Sequence, residues 1–344
     1  MRDANYPVAV TALTTAVFCV GLLAAGTSAP ETSAHAGQAD ARRVAVRNER
    51  PRPGQEVLVL RHQQLSKGAH EAYYRSSLAG VWPWYEKIGT RIVGQWLVID
   101  PPGDASSDHA YRLARYASFE HWRATRDPAN VGLGGNGPDR EKSLESGRDR
   151  SGVQTGSKGA YFLQGEFAPT RPLYMPAVSE QYALVAGEAA SAADALIAVR
   201  NGAAQQGTEI VELRYQRIDK GTFERFVADT RDAIWPWEEK LGARPIGQWR
   251  VIHPDAPNRT KPDPAFDEVV TLTRYASREH RLALQPDRAV LAGGNGPDWR
   301  AWRDALAAQA PLTRATEIEV MQGDMYLSPP VFLPPLNEKY RLAR

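Results

Sequence analysis

The alternation of apolar and polar positions is clearest between residues 209 and 326. Residues 209–218 alternate and are rich in β-branched side chains, which predicts a strand. Lys220-Gly221 is a turn. Phe223, Phe226, Val227, Thr230 and Ile234 then fall at helical spacing, and Pro236 stops or kinks that helix. Residues 245–253 and 268–275 read as two more strands. Ser277 is an N-cap, and Pro297-Asp298 opens a helix running to 308. Residues 317–326 form the last strand, followed by an extended proline-rich tail. The order strand, helix, strand, strand, helix, strand is the ferredoxin-like βαββαβ plan. In it both helices cover one face of a four-stranded antiparallel sheet.

The pattern occurs twice. Trp82-Pro83-Trp84 recurs as Trp235-Pro236-Trp237, 153 residues on, and Arg61, Gln63 and Gly94-Gln95-Trp96 recur as Arg214, Gln216 and Gly247-Gln248-Trp249. The offset rises to 159 at Arg115-Tyr116-Ala117-Ser118 against Arg274-Tyr275-Ala276-Ser277, and becomes 158 at Gln164-Gly165 against Gln322-Gly323. Module 1 therefore spans 55–184, an Ala-rich connector 185–207, and module 2 208–342.

Strand alternation sorts the side chains into faces. In module 2, Val211, Leu213 and Tyr215 oppose Glu212, Arg214 and Gln216, and in module 1 Leu58, Leu60 and His62 oppose Val59, Arg61 and Gln63. Gln95 and Gln248 oppose Trp96 and Trp249 in the second strands. The expectation is that the apolar faces meet the helices and the polar faces meet water or the other module. Two facing sheets would then enclose a barrel interior carrying Arg61, Arg214 and the glutamines. Buried arginine needs a partner. Glu212 supplies one in module 2. Val59 stands in the matching place, which leaves Arg61 to a bound anion, a polar ligand or a satisfied polar interface between sheets.

Composition narrows the function classes. Of 344 residues, 42% are hydrophobic and 24% charged, with a net charge of +2, which excludes both a strongly basic nucleic-acid binder and a wholly disordered chain. Residues 8–25 carry no charge and are followed by small residues at two peptidase-like sites. Residues 1–29 read as an export signal, or alternatively as an uncleaved membrane anchor, with a flexible spacer at 30–54. The mature chain is expected in the periplasm or outside the cell. The one cysteine, Cys19, lies in that segment, so no disulfide and no cysteine-based zinc site is expected.

The remaining candidate chemistry is thin. Trp82, Trp84, Trp235 and Trp237 line an aromatic pocket or, more commonly, build the helix–sheet core. His121 and His280 follow Ser-x-Glu at helix starts, where solvent is expected and catalysis is not. The remaining histidines show no metal-ligand spacing, so no metal site is expected. Residues 132–137 match GxGxxG without a strand–helix setting and read as a loop.

The segments ELRYQRIDKGTFERF (212–226), WPWEEKLGARPIGQW (235–249), VVTLTRYASREHR (269–281) and DWRAWRDAL (298–306), with weaker versions in module 1, resemble the NIPSNAP family over most of both modules. The resemblance implies an α+β fold: two ferredoxin-like modules pairing through antiparallel sheets as an intrachain dimeric α/β barrel. It implies no settled reaction and no agreed catalytic residues. The expected function is non-catalytic binding of a small polar or anionic ligand, or of a protein partner. The expected site is Arg61, Gln63, Gln95, Arg214, Gln216 and Gln248, with Trp82, Trp84, Trp235 and Trp237. The alternative is an oxygenase, cofactor-free or carrying noncovalent haem, by fold-level analogy alone. Module 1 departs from the pattern at His62 in place of Tyr215, at Arg140 and Ser143 in place of Trp299 and Trp302, and at Gly147. Its second helix is therefore expected to be interrupted.

Overall fold

The structure, a computed structural model, describes residues 55–103, 105–126, 137–167, 173–174, 209–241, 243–254, 261–285, 296–325 and 332–333. The export segment, spacer, Ala-rich connector, proline-rich tail and GxGxxG loop (132–136) lie outside the described residues. Module 1 forms β1 (Val57–Ser66), α1 (His70–Ser76), a π-helical turn (Ser77–Val81), α2 (Trp82–Lys87), β2 (Arg91–Asp100), β3 (Ser107–Tyr116), α3 (Phe119–Arg126), α4 (Pro138–Val153), β4 (Gln154–Gly156) and β5 (Ala160–Phe167). The short strand β6 (Leu173–Tyr174) follows. Module 2 forms β7 (Ile210–Asp219), α5 (Phe223–Asp229), a second π-helical turn (Thr230–Ile234), α6 (Trp235–Lys240), β8 (Arg244–Ile252), β9 (Phe266–Tyr275), α7 (Arg278–Ala283), α8 (Pro297–Gln309) and β10 (Thr313–Met325). The strand β11 (Phe332–Leu333) pairs with β6.

Within each module the strands lie in ferredoxin-like order, β5-β1-β3-β2 and β10-β7-β9-β8, all antiparallel. Each module alone would leave two open edges, and exposed edges invite pairing. Here the edges pair with each other, β5 with β8 and β10 with β2, closing eight strands into one barrel. This is the dimeric α/β-barrel plan made within one chain. The repeated Gln-Gly explains itself at the two seams. A Cβ on Gly165 would lie 2.7 Å from Trp249 Cα, and one on Gly323 2.9 Å from Trp96 Cα. Only glycine allows the strands that approach there.

The repeated Lys-Gly turn is likewise built twice. Gly68 and Gly221 take φ of 77° and 80°, a region open chiefly to glycine. Their N–H groups donate to Asp108 (2.7 Å) and Asp267 (2.8 Å), which also pair with Lys67 and Lys220.

The faces are the reverse of the sequence expectation. The barrel interior is apolar: Leu58, Leu60, Trp96, Leu113, Leu163, Leu213, Trp249, Val270, Leu272 and Met321 form one buried cluster drawn from both modules. The Arg/Gln faces turn outward, under the helices. Closure shuts water out of the barrel, so its lining takes the face that loses most by staying wet. In module 2 the outer face finds a polar partner on a helix, where Arg281 of α7 donates to Glu212 of β7.

The second helix of module 1 is not interrupted. The helix α4 runs unbroken over 16 residues through Gly147. Ser143 and Ser146 are buried against the π turn, and a Cβ on Gly80 would lie 2.6 Å from Lys142 O. Small residues thus let the α4 backbone approach closely where module 2 instead inserts Trp302.

Candidate functional site

Each module encloses a polar layer between the outer face of its sheet and its helices. In module 2, β7 presents Glu212, Arg214 and Gln216, β8 presents Gln248, and β9 presents Thr271, Thr273 and Tyr275. Trp235 and Glu238 from α6 close over them around a cavity of about 90 Å³. The charges are matched. Glu212 accepts from Arg214 Nη2 at 2.7 Å and from Arg281 Nε of α7 at 2.5 Å. Burial pushes the Glu212 carboxyl up, but the two guanidinium groups outweigh it and hold the carboxyl below its usual range. Among the described residues Glu238 has no such bond. Burial, opposed by Arg214 and aided by Glu212, pushes it up to about 7. Burial, with Glu212 and Glu238 close by, also holds the Tyr275 phenol well above its ordinary value. Gln248 Nε2 donates to Thr271 Oγ1 at 3.0 Å.

The equivalent layer of module 1 has no such balance. Val59 and Tyr85 replace the two carboxylates, Glu212 and Glu238. Arg112, Arg126 and Arg150 replace Thr271, Gln285 and Gln309, and join Arg61. Arg126 donates to Tyr85 Oη (3.1 Å) and Tyr116 Oη (3.0 Å), and Arg150 donates to Tyr73 Oη. The guanidinium carbons of Arg112 and Arg126 each lie 5.5 Å from the centroid of the Tyr85 ring. Among the described residues no carboxylate pairs with any of the four arginines. Arg112 is 2% exposed, and its Nε and that of Arg61 have no partner. Gln63 and Gln95, 1% and 0% exposed, have neither amide atom satisfied. Burial, then repulsion from Arg126 and Arg112, brings the Arg61 guanidinium down to about 10. Burial alone would raise the Tyr85 phenol. Arg126, Arg112, Arg150 and Arg61 outweigh it and bring Tyr85 down to about 6.

Of the residues expected from sequence to form one site, Arg61, Gln63 and Gln95 meet in the module 1 layer. Arg214, Gln216, Gln248 and Trp235 meet in the module 2 layer. They do not meet in a shared barrel interior. Trp82, Trp84 and Trp237 are buried in the packing between helices and sheet, Trp82 against Tyr74 and Trp237 against Trp302. Tyr85, Arg112, Arg126, Arg150, Glu238 and Arg281 were not evident from sequence. The signal that points to them is the aligned positions at which the repeats differ in charge.

His121 and His280, expected to be solvated, are 1% and 0% exposed. In each, Nδ1 accepts a backbone N–H (Ala117, 3.2 Å; Ala276, 3.1 Å), so Nε2 carries the proton and donates to a carbonyl at 2.7 Å (Ile88, Leu241). The pair ties each short helix to the turn after Trp-Pro-Trp. A larger cavity, about 380 Å³, opens at the barrel rim between Tyr161, Tyr215, His253 and Glu268. Its central polar groups satisfy one another: Tyr215 Oη donates to Glu268, whose other oxygen lies 2.8 Å from His253 Nε2. Among the described residues no group of three His, Cys, Asp or Glu is placed to hold a metal ion.

No protein-family model and no curated protein matches the sequence. Solved structures do resemble the chain in shape. A candidate monooxygenase from Lactobacillus acidophilus is 10% identical with a TM-score of 0.41, over 79% of this chain and 95% of that one. A candidate monooxygenase from Fusobacterium nucleatum is 8% identical with a TM-score of 0.43, over 79% and 97%. A chlorite dismutase from Candidatus Nitrospira defluvii is 10% identical with a TM-score of 0.31, over 77% and 90%. At these values no reaction carries over to this chain.

Proposed function

We propose that this protein is a non-catalytic, exported binder of a small polar or anionic molecule, held in the layer between sheet and helices. The observation that carries this reading is the set of buried polar atoms in module 1 without partners among the described residues: both amide atoms of Gln63 and Gln95, with the Nε atoms of Arg61 and Arg112. Buried polar groups are normally hydrogen-bonded, and a run of exceptions on one face marks a place for a ligand. The NIPSNAP resemblance favours the same reading, and so does the balanced net charge, which suits a small ligand better than nucleic acid. Export rests on the segment 1–29, and fractionation of cells into soluble and membrane pools tests it.

Native mass spectrometry of the gently purified mature protein is the direct test. It should find a small molecule bound, lost in Arg61→Ala. Repeated absence of any bound molecule, with binding to a small-ligand panel unchanged in both Arg61→Ala and Arg214→Ala, sinks the reading.

An oxygenase reading has one observation in its favour: Glu238, brought to about 7 beside the module 2 cavity, is poised as a general base. Oxygen uptake with a phenolic panel, abolished in Glu238→Gln, would support it. Haem does not fit the module 2 cavity: both ring nitrogens of His280 are taken by backbone, and about 90 Å³ is far below the roughly 300–1,000 Å³ of a typical ligand pocket.

A further inference from the structure

We infer that the module 1 layer is an oxyanion site. Arg61, Arg112 and Arg126, with the amides of Gln63 and Gln95, hold a small oxyanion of the phosphate and sulfate class, and Tyr85 is the resident counter-ion that this anion replaces. The inference rests on the ligand-binding reading above and gives the ligand a class.

The argument begins with charge. Four guanidinium groups from four elements, β1, β3, α3 and α4, bear on one phenol. Like charges packed away from water repel strongly, and buried arginine is normally paired with a carboxylate. Module 2 shows what pairing looks like on the same scaffold, with Glu212 bonded to both Arg214 and Arg281. Module 1 carries Val59 there. Among the described residues no carboxylate matches its positive charge, and the Tyr85 phenol is the acidic group placed against it.

The donor set selects the class. Guanidinium groups present planar forks of N–H donors that match the oxygens of phosphate, sulfate or carboxylate. Amide N–H groups add neutral donors to the same oxygens. Gln63, Gln95 and Arg112 are buried and Arg61 and Arg126 half-buried under the helices, which favours a compact oxyanion over a nucleotide or a long-chain acid.

Tyr85 supplies the negative charge when the site is empty. Its oxygen already accepts from Arg126, and the guanidinium groups of Arg112 and Arg126 both lie against its ring. The charged and titratable groups that face it are Arg126 on α3, Arg112 and Tyr116 on β3, Arg61 on β1 and Arg150 on α4. Together they bring the phenol to about 6, so it is ionised near neutral pH. An arriving oxyanion supplies the charge instead. The phenolate then takes up one proton from water and becomes a neutral phenol. Binding of the anion and protonation of Tyr85 are thus linked.

Calorimetric titration of the full chain with sulfate tests this, because sulfate does not titrate near neutral pH. Running it in two buffers of different ionisation enthalpy counts the protons taken up. The expected result is one-to-one binding with uptake approaching one proton, and tyrosinate absorbance falling in step. Arg112→Gln should weaken sulfate about tenfold or more, and Arg112→Lys, which keeps the charge but loses the fork, by less. Tyr85→Phe should bind sulfate more tightly with no proton uptake. Arg303→Gln, at an exposed arginine paired with Asp304, should leave binding unchanged. Phosphate, acetate and succinate arms separate inorganic from organic oxyanions. Undiminished sulfate binding in both Arg61→Gln and Arg112→Gln, or binding without proton uptake, overturns the inference. So does failure of every oxyanion while a neutral polar ligand still binds, and then the broader reading survives. Failure of every ligand class removes both.

Discussion

The two modules share a scaffold and differ in how they settle charge under their helices. Both keep the buried ion pair at the start of the first strand, Glu56 with Arg115 and Glu209 with Arg274. Both keep the Lys-Gly turn and the histidine that ties helix to turn. These features hold the fold. In the polar layer, module 2 sets Glu212 and Glu238 against Arg214 and Arg281, whereas module 1 sets Tyr85 against Arg61, Arg112, Arg126 and Arg150. A scaffold that must be kept twice is free to diverge where it does not carry the fold. Divergence toward unmatched charge is what a bound ion would make stable.

The comparison breaks hardest at Glu212. Replacing it with the module 1 residue, Glu212→Val, strands Arg214 and Arg281 and should cost roughly 3–5 kcal/mol in urea unfolding. A loss below about 1 kcal/mol would mean that module 2 does not depend on its matched pairs.

Glu238 and Tyr85 stand in equivalent places and should give opposite pH slopes. Glu238 rises from 4.5 to about 7 in the folded state, so the folded chain binds more protons across that window. Its contribution is fully present below 4.5 and is lost as pH rises through 7, reaching roughly 3 kcal/mol at about pH 8. Glu238→Gln should remove that decline. Tyr85 falls from 10.0 to about 6, so stability gains as pH rises from 6 toward 10. Tyr85→Phe should remove that gain. Stability curves taken across both windows read the two signs separately.

His62 stands where module 2 has Tyr215 and gives a smaller effect. Its Nδ1 accepts from Lys158 N at 3.0 Å, and its Nε2 lies 2.8 Å from His109 Nδ1. Burial, then Lys158 and His109, bring it from 6.5 down to about 3. The unfolded chain binds the proton first, so stability falls as pH drops below 6.5, by about 2 kcal/mol at about pH 5. His62→Gln, which cannot titrate, should flatten that limb.

Val59→Glu is the gentlest change. It gives Arg61 the carboxylate that Arg214 has. Stability should move by only about 1 kcal/mol, because desolvation offsets attraction. The sulfate response should nevertheless fall sharply. An unchanged response would place the anion away from Arg61.

The sequence by itself determined the duplication, the βαββαβ order of each half and the two faces of every strand. Those are local properties: period-2 alternation, helical spacing and turn residues are written within ten or so neighbours. It also offered Glu212 as a partner for Arg214 and none for Arg61 in the matching place, because residues two apart on a strand share a face, and the structure makes that pair. Which face points inward was decided by the tertiary structure. Pairing of β5 with β8 and of β10 with β2 seals the barrel, and only a sealed interior has to be apolar. The arginine cluster was decided there too. Arg61, Arg112, Arg126 and Arg150 are scattered over 90 positions and form no motif. They become one cluster because two strands and two helices bring them to a single tyrosine, Tyr85.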